Sequence, residues 1–120
     1  MPKILIIDDE EAILDMYATI LSGYTVITAK DGTDGLAKAK LEKPDLIYLD
    51  IIMPKTNGLD VLDKLKKDKD TVEIPVILLT NLPKEVTADK AKSLGAIDYF
   101  VKVETEPEEL LKRTKKILGK

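Results

Sequence analysis

The sequence predicts an α/β domain in which helices cover both faces of a parallel sheet. Three short apolar runs, at Ile4–Ile7, Leu46–Leu49 and Val76–Leu79, are almost free of polar residues. Such runs are typical of parallel strands that are buried on both faces. Stretches with apolar residues three or four positions apart separate these runs, as in amphipathic helices. The alternation of the two patterns predicts a βαβ architecture.

Two further segments complete the predicted sheet. Tyr24–Ala29 alternates apolar and polar residues, which indicates an edge strand, and Ile97–Val101 is the last strand. Right-handed crossovers with helices on both faces give a doubly wound sheet. For five strands the expected arrangement is the flavodoxin-like order 2-1-3-4-5. In that order the first and third strands are neighbours, so their carboxyl ends meet.

Apolar periodicity and cap residues place the helices. Asp31 and Asn57 are predicted N-caps, and Thr105 with Glu108 has the spacing of a capping box before the last helix. Apolar residues at helical spacing mark four helices: Ile13, Tyr17, Ile20 and Leu21; Leu36 and Ala39; Leu62 and Leu65; and Leu110, Thr114 and Ile117.

Length and composition limit the classes of function. A chain of 120 residues is expected to form one domain, and its formal charge of -3 argues against direct nucleic-acid binding. The absence of cysteine and histidine excludes disulfides, thiolate nucleophiles and Ser-His triads. No apolar stretch has the length of a membrane span and no leader is visible, so we expect no membrane insertion and a cytoplasmic location.

Chemically capable side chains follow four of the five predicted strands. Asp8 and Asp9 follow the first strand, Asp50 the third, Thr80 the fourth and Lys102 the fifth. Ligands of open α/β sheets bind beyond the carboxyl ends of the strands, so these side chains are expected to share one pocket. Three carboxylates without nearby histidine or cysteine favour a hard cation such as Mg²⁺, which often accompanies phosphate.

A phosphoryl-transfer site accounts for these residues as a set. Asp50 would attack the phosphorus in line, while Mg²⁺ held by Asp9 and Asp50, the Lys102 ammonium and the Thr80 hydroxyl would each stabilise one equatorial oxygen. Asp8 is expected to hold a water bound to the metal. Taken singly, these residues also fit a helix cap, a turn or a solvated lysine, so the prediction depends on their joint pattern.

The sequence resembles, nearly end to end, the receiver domain of two-component response regulators. It is most similar to single-domain, chemotaxis-type receivers, with residues 1–120 as the domain. The motifs that carry the resemblance are Ile4–Glu10, Asp50–Pro54 followed by Asn57–Gly58, Leu78–Thr80, and Gly95–Ala96 leading to Tyr99 and Lys102.

The resemblance implies that Asp50 accepts a phosphoryl group from the phosphohistidine of a histidine kinase or phosphotransfer protein. It also implies a Mg²⁺ site formed by Asp9, Asp50 and the backbone carbonyl of Ile52, with Asp8 acting through water. Such a domain catalyses its own phosphorylation and dephosphorylation but turns over no separate substrate, so it is not an enzyme in the usual sense.

The resemblance further implies a switch. Thr80 would move toward the aspartyl phosphate, and Tyr99 would turn inward as Thr80 vacates its space. The surface of the last two helices and the last strand would then change its affinity for an unidentified downstream protein. The chain would be a monomer or a phosphorylation-dependent dimer. Two arrangements that differ by only a few kcal/mol are sufficient for such a population shift.

Four residues near the site bear on how this chain differs from the family. Val103 follows the active-site lysine where the family usually has a proline, and Asn81 follows the switch threonine where a small residue is usual. The positions that tune water attack are Ile52 and Leu82, both apolar. Because apolar side chains do not orient water, slow autodephosphorylation is expected.

Other functions remain open at the level of sequence. The chain could be a receiver from a longer regulator, although the helix stop at Gly119–Lys120 favours a free-standing one. A pseudo-receiver would bind a partner without phosphorylation. A metal-dependent phosphohydrolase would need a second acid and a cap, and a flavodoxin-type cofactor binder would need a phosphate-binding first loop without acids.

Overall fold

The computed structural model describes residues 1–119. It shows five α-helices around a parallel sheet. The strands are β1 (Lys3–Ile7), β2 (Thr25–Ala29), β3 (Leu46–Leu49), β4 (Ile52–Met53), β5 (Thr56–Asn57), β6 (Val76–Thr80) and β7 (Asp98–Val101). The helices are α1 (Glu11–Ile20), α2 (Gly32–Glu42), α3 (Gly58–Lys67), α4 (Lys84–Ser93) and α5 (Pro107–Leu118), with a 3₁₀ turn at Lys102–Glu104.

The main sheet has the order β2-β1-β3-β6-β7 with every pair parallel. This confirms the predicted five-stranded, doubly wound arrangement, in which the five strands follow the order 2-1-3-4-5. The short antiparallel hairpin of β4 and β5 lies outside that sheet and was not predicted. Two-residue strands carry too little apolar pattern to be recognised in a sequence.

The core is divided between the two faces of the sheet. Successive side chains of a strand point to opposite faces. Leu5 and Ile7 of β1 therefore pack with α2, α3 and α4, while Ile4 and Ile6 pack with α1 and α5. All four side chains are 2% exposed or less, which explains why β1 shows an unbroken apolar run. Among residues 1–119, no helix is both long and apolar enough to cross a bilayer.

A buried hydrogen bond ties α5 to the strand that leads into Asp50. The Tyr48 hydroxyl of β3 lies 2.6 Å from the Thr114 hydroxyl. Because Thr114 donates its own proton to the Leu110 carbonyl, Tyr48 is the donor to Thr114. Burial raises the pKa of Tyr48 to about 12. The bond fixes the rotation of α5 against the sheet.

Two of the predicted caps are confirmed and one is displaced by a residue. Asp31 accepts from the Asp34 N–H at 2.7 Å, and Asn57 accepts from the Leu59 N–H at 2.8 Å. The predicted capping box of Thr105 with Glu108 is wrong, since the box is formed by Glu106 and Glu109. The Thr105 hydroxyl instead donates to the Val101 carbonyl at 2.8 Å, which closes the preceding turn and shifts the helix start by one residue.

Candidate functional site

The carboxyl ends of β1 and β3 place Asp8 and Asp50 beside each other. The two strands pair as far as Ile7 with Leu49, and the Asp50 N–H continues the pattern by donating to the Ile7 carbonyl at 3.0 Å. On the other side, the Asp8 N–H donates to the Ala29 carbonyl of β2 at 3.0 Å. The backbone of both aspartates is thus an extension of the sheet.

The Asp50 carboxylate is held at both oxygens and still reaches an open cavity. Its Oδ1 accepts from the Ile51 N–H at 2.7 Å, and its Oδ2 accepts from the Lys102 ammonium at 2.9 Å. The residue is 6% exposed. It lines a cavity of about 280 Å³ together with Asp9, Glu10, Ile52, Thr80, Asn81 and Lys102. Asp50 is therefore almost buried but borders this cavity.

Gly58 supports the loop that follows Asp50, a role that the sequence analysis did not assign. The Gly58 N–H donates to the Ile51 carbonyl at 2.7 Å. A Cβ at this position would collide with the Asp50 carbonyl oxygen and the Ile51 Cα, both of them backbone atoms. The sequence signal was the Asn57-Gly58 pair that follows the aspartate, which was noted only as part of the resemblance.

Lys102 joins the acids of both strands. Its ammonium donates to Asp8 as well as to Asp50, and its side chain is only 6% exposed. Burial by itself would lower the pKa of Lys102, but the hydrogen bonds and charges of the two carboxylates raise it above its ordinary value. The ammonium is therefore a fixed positive charge at the site.

Burial has the opposite consequence for the neighbouring acid. It raises the pKa of Asp8 above the ordinary value of 3.8, although Lys102 and the Glu10 N–H both favour the ionised form. The Glu10 N–H donates to Asp8 Oδ1 at 3.0 Å. Burial thus disfavours the ionised form of Asp8, and a further cation near the cluster would favour it.

The donor set fits a divalent cation. Asp8, Asp9 and Asp50 each offer a carboxylate oxygen, and these oxygens lie within 4.8 Å of one another. Asp9 is the most exposed of the three and makes no ion pair within residues 1–119. Oxygen-only donors of this type suit Mg²⁺ or a similar hard ion. The predicted carbonyl ligand belongs to Ile52, which lines the same cavity.

Of the two predicted switch residues, Thr80 lines the cavity and Tyr99 lies on the adjacent strand β7. Thr80 is 1% exposed, and its hydroxyl accepts from the Leu82 N–H at 3.4 Å without a hydrogen bond to Asp50. Tyr99 is already buried, at 6% exposure, and its hydroxyl donates to the Leu82 carbonyl at 2.8 Å. The structure therefore combines an inward Tyr99 with a Thr80 that has not reached Asp50. The expected order of their movements stays a prediction.

A further residue, Thr87 of α4, holds Tyr99 in that position. The hydroxyls of Thr87 and Tyr99 are hydrogen-bonded. Since the Tyr99 proton goes to the Leu82 carbonyl, the Thr87 hydroxyl is the donor to Tyr99. Burial raises the pKa of Tyr99, partly offset by this bond. Nothing in the sequence pattern distinguished Thr87 from the other polar residues of α4.

Comparison with known proteins decides the family. A model of the response regulator receiver domain matches residues 4–115. The chain belongs to the response regulator receiver domain family. The protein PilH of Pseudomonas aeruginosa is 39% identical to it, over 99% of each chain. The structure of the chemotaxis protein CheY4 of Vibrio cholerae is 32% identical, covers 98% of both chains and superposes with a TM-score of 0.89.

Many relatives are longer than this chain. The alkaline phosphatase synthesis transcriptional regulatory protein PhoP of Bacillus subtilis is 43% identical over 118 residues, which are 97% of this chain but 48% of that protein. The chain thus spans about half the length of several curated relatives and the full length of PilH. What this chain and the longer relatives share is therefore the receiver domain itself.

Proposed function

We propose that Asp50 is the phosphoacceptor of this receiver domain, with residues 1–120 forming one functional unit. The observation that carries the proposal is the contact of Lys102 with both Asp8 and Asp50 at the edge of an open cavity. It joins the ends of three strands around one carboxylate. A lysine in a merely solvated position would not be buried against two acids.

The proposed chemistry is a transfer between two nucleophiles. An Asp50 oxygen attacks the phosphorus of a phosphohistidine, the P–N bond breaks, and its electron pair stays on the imidazole nitrogen. Lys102 and the Thr80 hydroxyl stabilise the charge on the equatorial oxygens. Asp9, Asp50, the Ile52 carbonyl and Asp8 through water would hold Mg²⁺, which supplies further charge neutralisation when bound.

This chemistry indicates the classes of partner protein but not their identities. A histidine kinase or phosphotransfer protein supplies the phosphoryl group, and a downstream protein binds the α4, β7 and α5 surface when Tyr99 and Thr80 rearrange. Both would meet the domain in the cytoplasm. The domain releases its phosphate by hydrolysis at Asp50 and has no separate turnover substrate.

The test is incubation with Mg²⁺ and a small phosphodonor such as acetyl phosphate, followed by intact mass. Wild type is expected to gain one phosphoryl group, and Asp50→Asn none. Asp45→Asn is a matched control, because Asp45 is exposed and, within residues 1–119, its carboxylate accepts only from the Lys3 N–H. Equal labelling of wild type and Asp50→Asn, or no labelling of either, would reject the proposal, and the second result would favour a pseudo-receiver.

The same sample tests the expected stability of the aspartyl phosphate. Ile52 is 62% exposed at the cavity and offers no group to orient a water. After removal of the donor, the phosphorylated mass should decay over minutes or longer. Loss within seconds would contradict the role given to Ile52 and Leu82. Chelation of Mg²⁺ before donor addition should prevent labelling.

A further inference from the structure

A side chain continues the link between β6 and β7 after their backbone pairing ends. The last paired residues are Thr80 and Val101. Two residues beyond Val101, the Val103 N–H donates to Oδ1 of Asn81 at 3.2 Å. The Asn81 oxygen thus takes the place of a main-chain carbonyl and extends the connection past the end of the strands.

This bond is the specific tie between two loops. Within residues 1–119, the backbone of the Lys102–Glu104 turn makes no other hydrogen bond to the loop between β6 and α4. The turn is otherwise closed upon itself, by the Thr105 N–H on the Lys102 carbonyl at 3.4 Å and by the Thr105 hydroxyl on Val101. Without Asn81, the position of the turn relative to Thr80 would depend on β7 and on the ion pairs of Lys102 with Asp8 and Asp50.

The orientation of the Asn81 amide follows from its partner. A backbone N–H can only donate, so the amide presents its oxygen to Val103 and its NH₂ group remains as a donor. Asn81 lines the cavity that contains Asp50, Thr80 and Lys102. The residue therefore touches both the cavity and the turn that carries the ammonium.

We propose that Asn81 is a positioning residue, which sets Lys102 over the acids by holding the Val103 N–H. The inference rests on the proposed function of Asp50 and deepens it. The Val103 side chain is 80% exposed, so the contribution of Val103 lies in its main-chain N–H and not in its side chain. That separation allows a matched control at the same position.

The experiment is a double-mutant cycle on acetyl phosphate labelling with Mg²⁺. Asn81→Ala removes the acceptor, Val103→Pro removes the donor, and Val103→Ala keeps the donor while truncating the side chain. Asn81→Ala and Val103→Pro should each slow labelling roughly twofold to tenfold, the size expected for one hydrogen bond, and the double variant should be no slower than either. Val103→Ala should label at the wild-type rate.

A second readout is independent of the chemistry. In the wild type the Val103 amide should exchange with solvent slowly, and Asn81→Ala should accelerate this exchange while leaving the amides of β6 unchanged. NMR of the Lys102 ammonium should show greater mobility in Asn81→Ala. Because this readout needs no phosphodonor and does not depend on a Val103→Pro protein that folds, it tests the contact by itself.

The outcomes separate the two proposals. Multiplicative effects in the double variant, faster labelling of Asn81→Ala, or an unchanged Val103 amide would overturn the positioning role of Asn81 and leave Asp50 as phosphoacceptor. A wild type that takes up no phosphoryl group would overturn the proposed function and with it any positioning of Lys102 for phosphoryl transfer. The Val103 amide would then show only whether the contact itself exists.

Discussion

The two edges of the site are held by different kinds of bond. The acid edge consists of Asp8, Asp9 and Asp50, and main-chain hydrogen bonds of Asp8 and Asp50 continue the sheet on both sides of β1. The hydroxyl edge consists of Thr80, Thr87 and Tyr99, whose side chains are held by hydroxyl hydrogen bonds to one another or to the Leu82 backbone. The backbones of Thr80 and Tyr99 are themselves paired in the sheet. The hydroxyl side chains can therefore exchange hydrogen-bond partners by rotation, whereas the backbones of Asp8 and Asp50 stay with the sheet.

That difference is what a switch requires. A phosphorylated Asp50 would present new acceptor oxygens at a fixed position, and only the hydroxyl edge can move to meet them. Each hydroxyl hydrogen bond contributes about 1 kcal/mol net, so a few kcal/mol from phosphate contacts are sufficient to rearrange that edge. Lys102 belongs to neither edge, because it leaves β7 and contacts the acids.

The largest expected effect comes from removing the charge that joins the edges. Lys102→Met keeps the length of the side chain but leaves Asp8 and Asp50 buried without their cation. We expect the free energy of unfolding at pH 7, with chelator present, to fall by about 3 kcal/mol. Urea denaturation measures this free energy. Lys112→Met, at an exposed position of α5, is the control. Millimolar Mg²⁺ should restore more stability to Lys102→Met than it adds to wild type.

The loss of stability in Lys102→Met should depend on pH in a defined direction. Because the pKa of folded Asp8 lies above 3.8, protonation stabilises the folded state as the pH falls through that raised pKa toward 3.8. The difference in free energy of unfolding between Lys102→Met and wild type should therefore become smaller as the pH falls. In wild type, the Lys102 contribution is complete below pH 10.5 and is lost as the pH rises through its raised folded pKa. A difference in free energy of unfolding that grows as the pH falls would contradict an ion pair between Lys102 and the buried acids.

A smaller effect is expected at the support of the acid edge. Gly58→Ala places a methyl group against the Asp50 carbonyl oxygen and the Ile51 Cα, and backbone atoms cannot rotate away. We expect a loss of about 2 kcal/mol and slower phosphodonor labelling, because the Asp50 loop must shift. Gly23→Ala is the control, since a Cβ there meets nothing within 4 Å. Equal stability of the two variants would show that the loop yields freely.

The sequence predicted the acid edge far better than the hydroxyl edge. Asp8 and Asp50 end apolar runs, and the strand order follows from chain topology, so their proximity could be inferred. The hydrogen-bond partners of Tyr99 could not be inferred. Thr87 lies on α4 and Leu82 on the loop before it, and the position of these segments against Tyr99 does not follow from sequence periodicity. The same holds for Asn81, whose contact with Val103 depends on where two loops end. The shift of the α5 cap to Glu106 accompanies a local hydrogen bond from the Thr105 hydroxyl to the Val101 carbonyl, which the spacing of cap residues does not reveal.

The hydroxyl edge should respond to the loss of one bond by about 1 kcal/mol. Thr87→Val keeps the shape of the side chain but removes the donor to Tyr99, whose hydroxyl retains the Leu82 carbonyl. Thr87→Ser keeps the hydroxyl and should be close to wild type. Urea denaturation compares the two, and ring signals of Tyr99 report its exposure. A Thr87→Ser variant that is less stable than Thr87→Val would mean that methyl packing, and not the hydrogen bond, holds this residue.

The smallest expected effect is a gain of stability in the turn that follows Asp50. Lys55 connects β4 and β5 with a φ of 66°, a left-handed conformation that glycine adopts without strain. Lys55→Gly should raise the free energy of unfolding by about 0.5 kcal/mol, since relief of strain exceeds the entropy that glycine adds to the unfolded chain. Lys69→Gly, at an exposed loop position without positive φ, should lower it. Because the acid edge is already fixed by the sheet, the Lys55→Gly variant should accept phosphate from acetyl phosphate at the wild-type rate, and a large change in that rate would mean that the hairpin strain reaches Asp50.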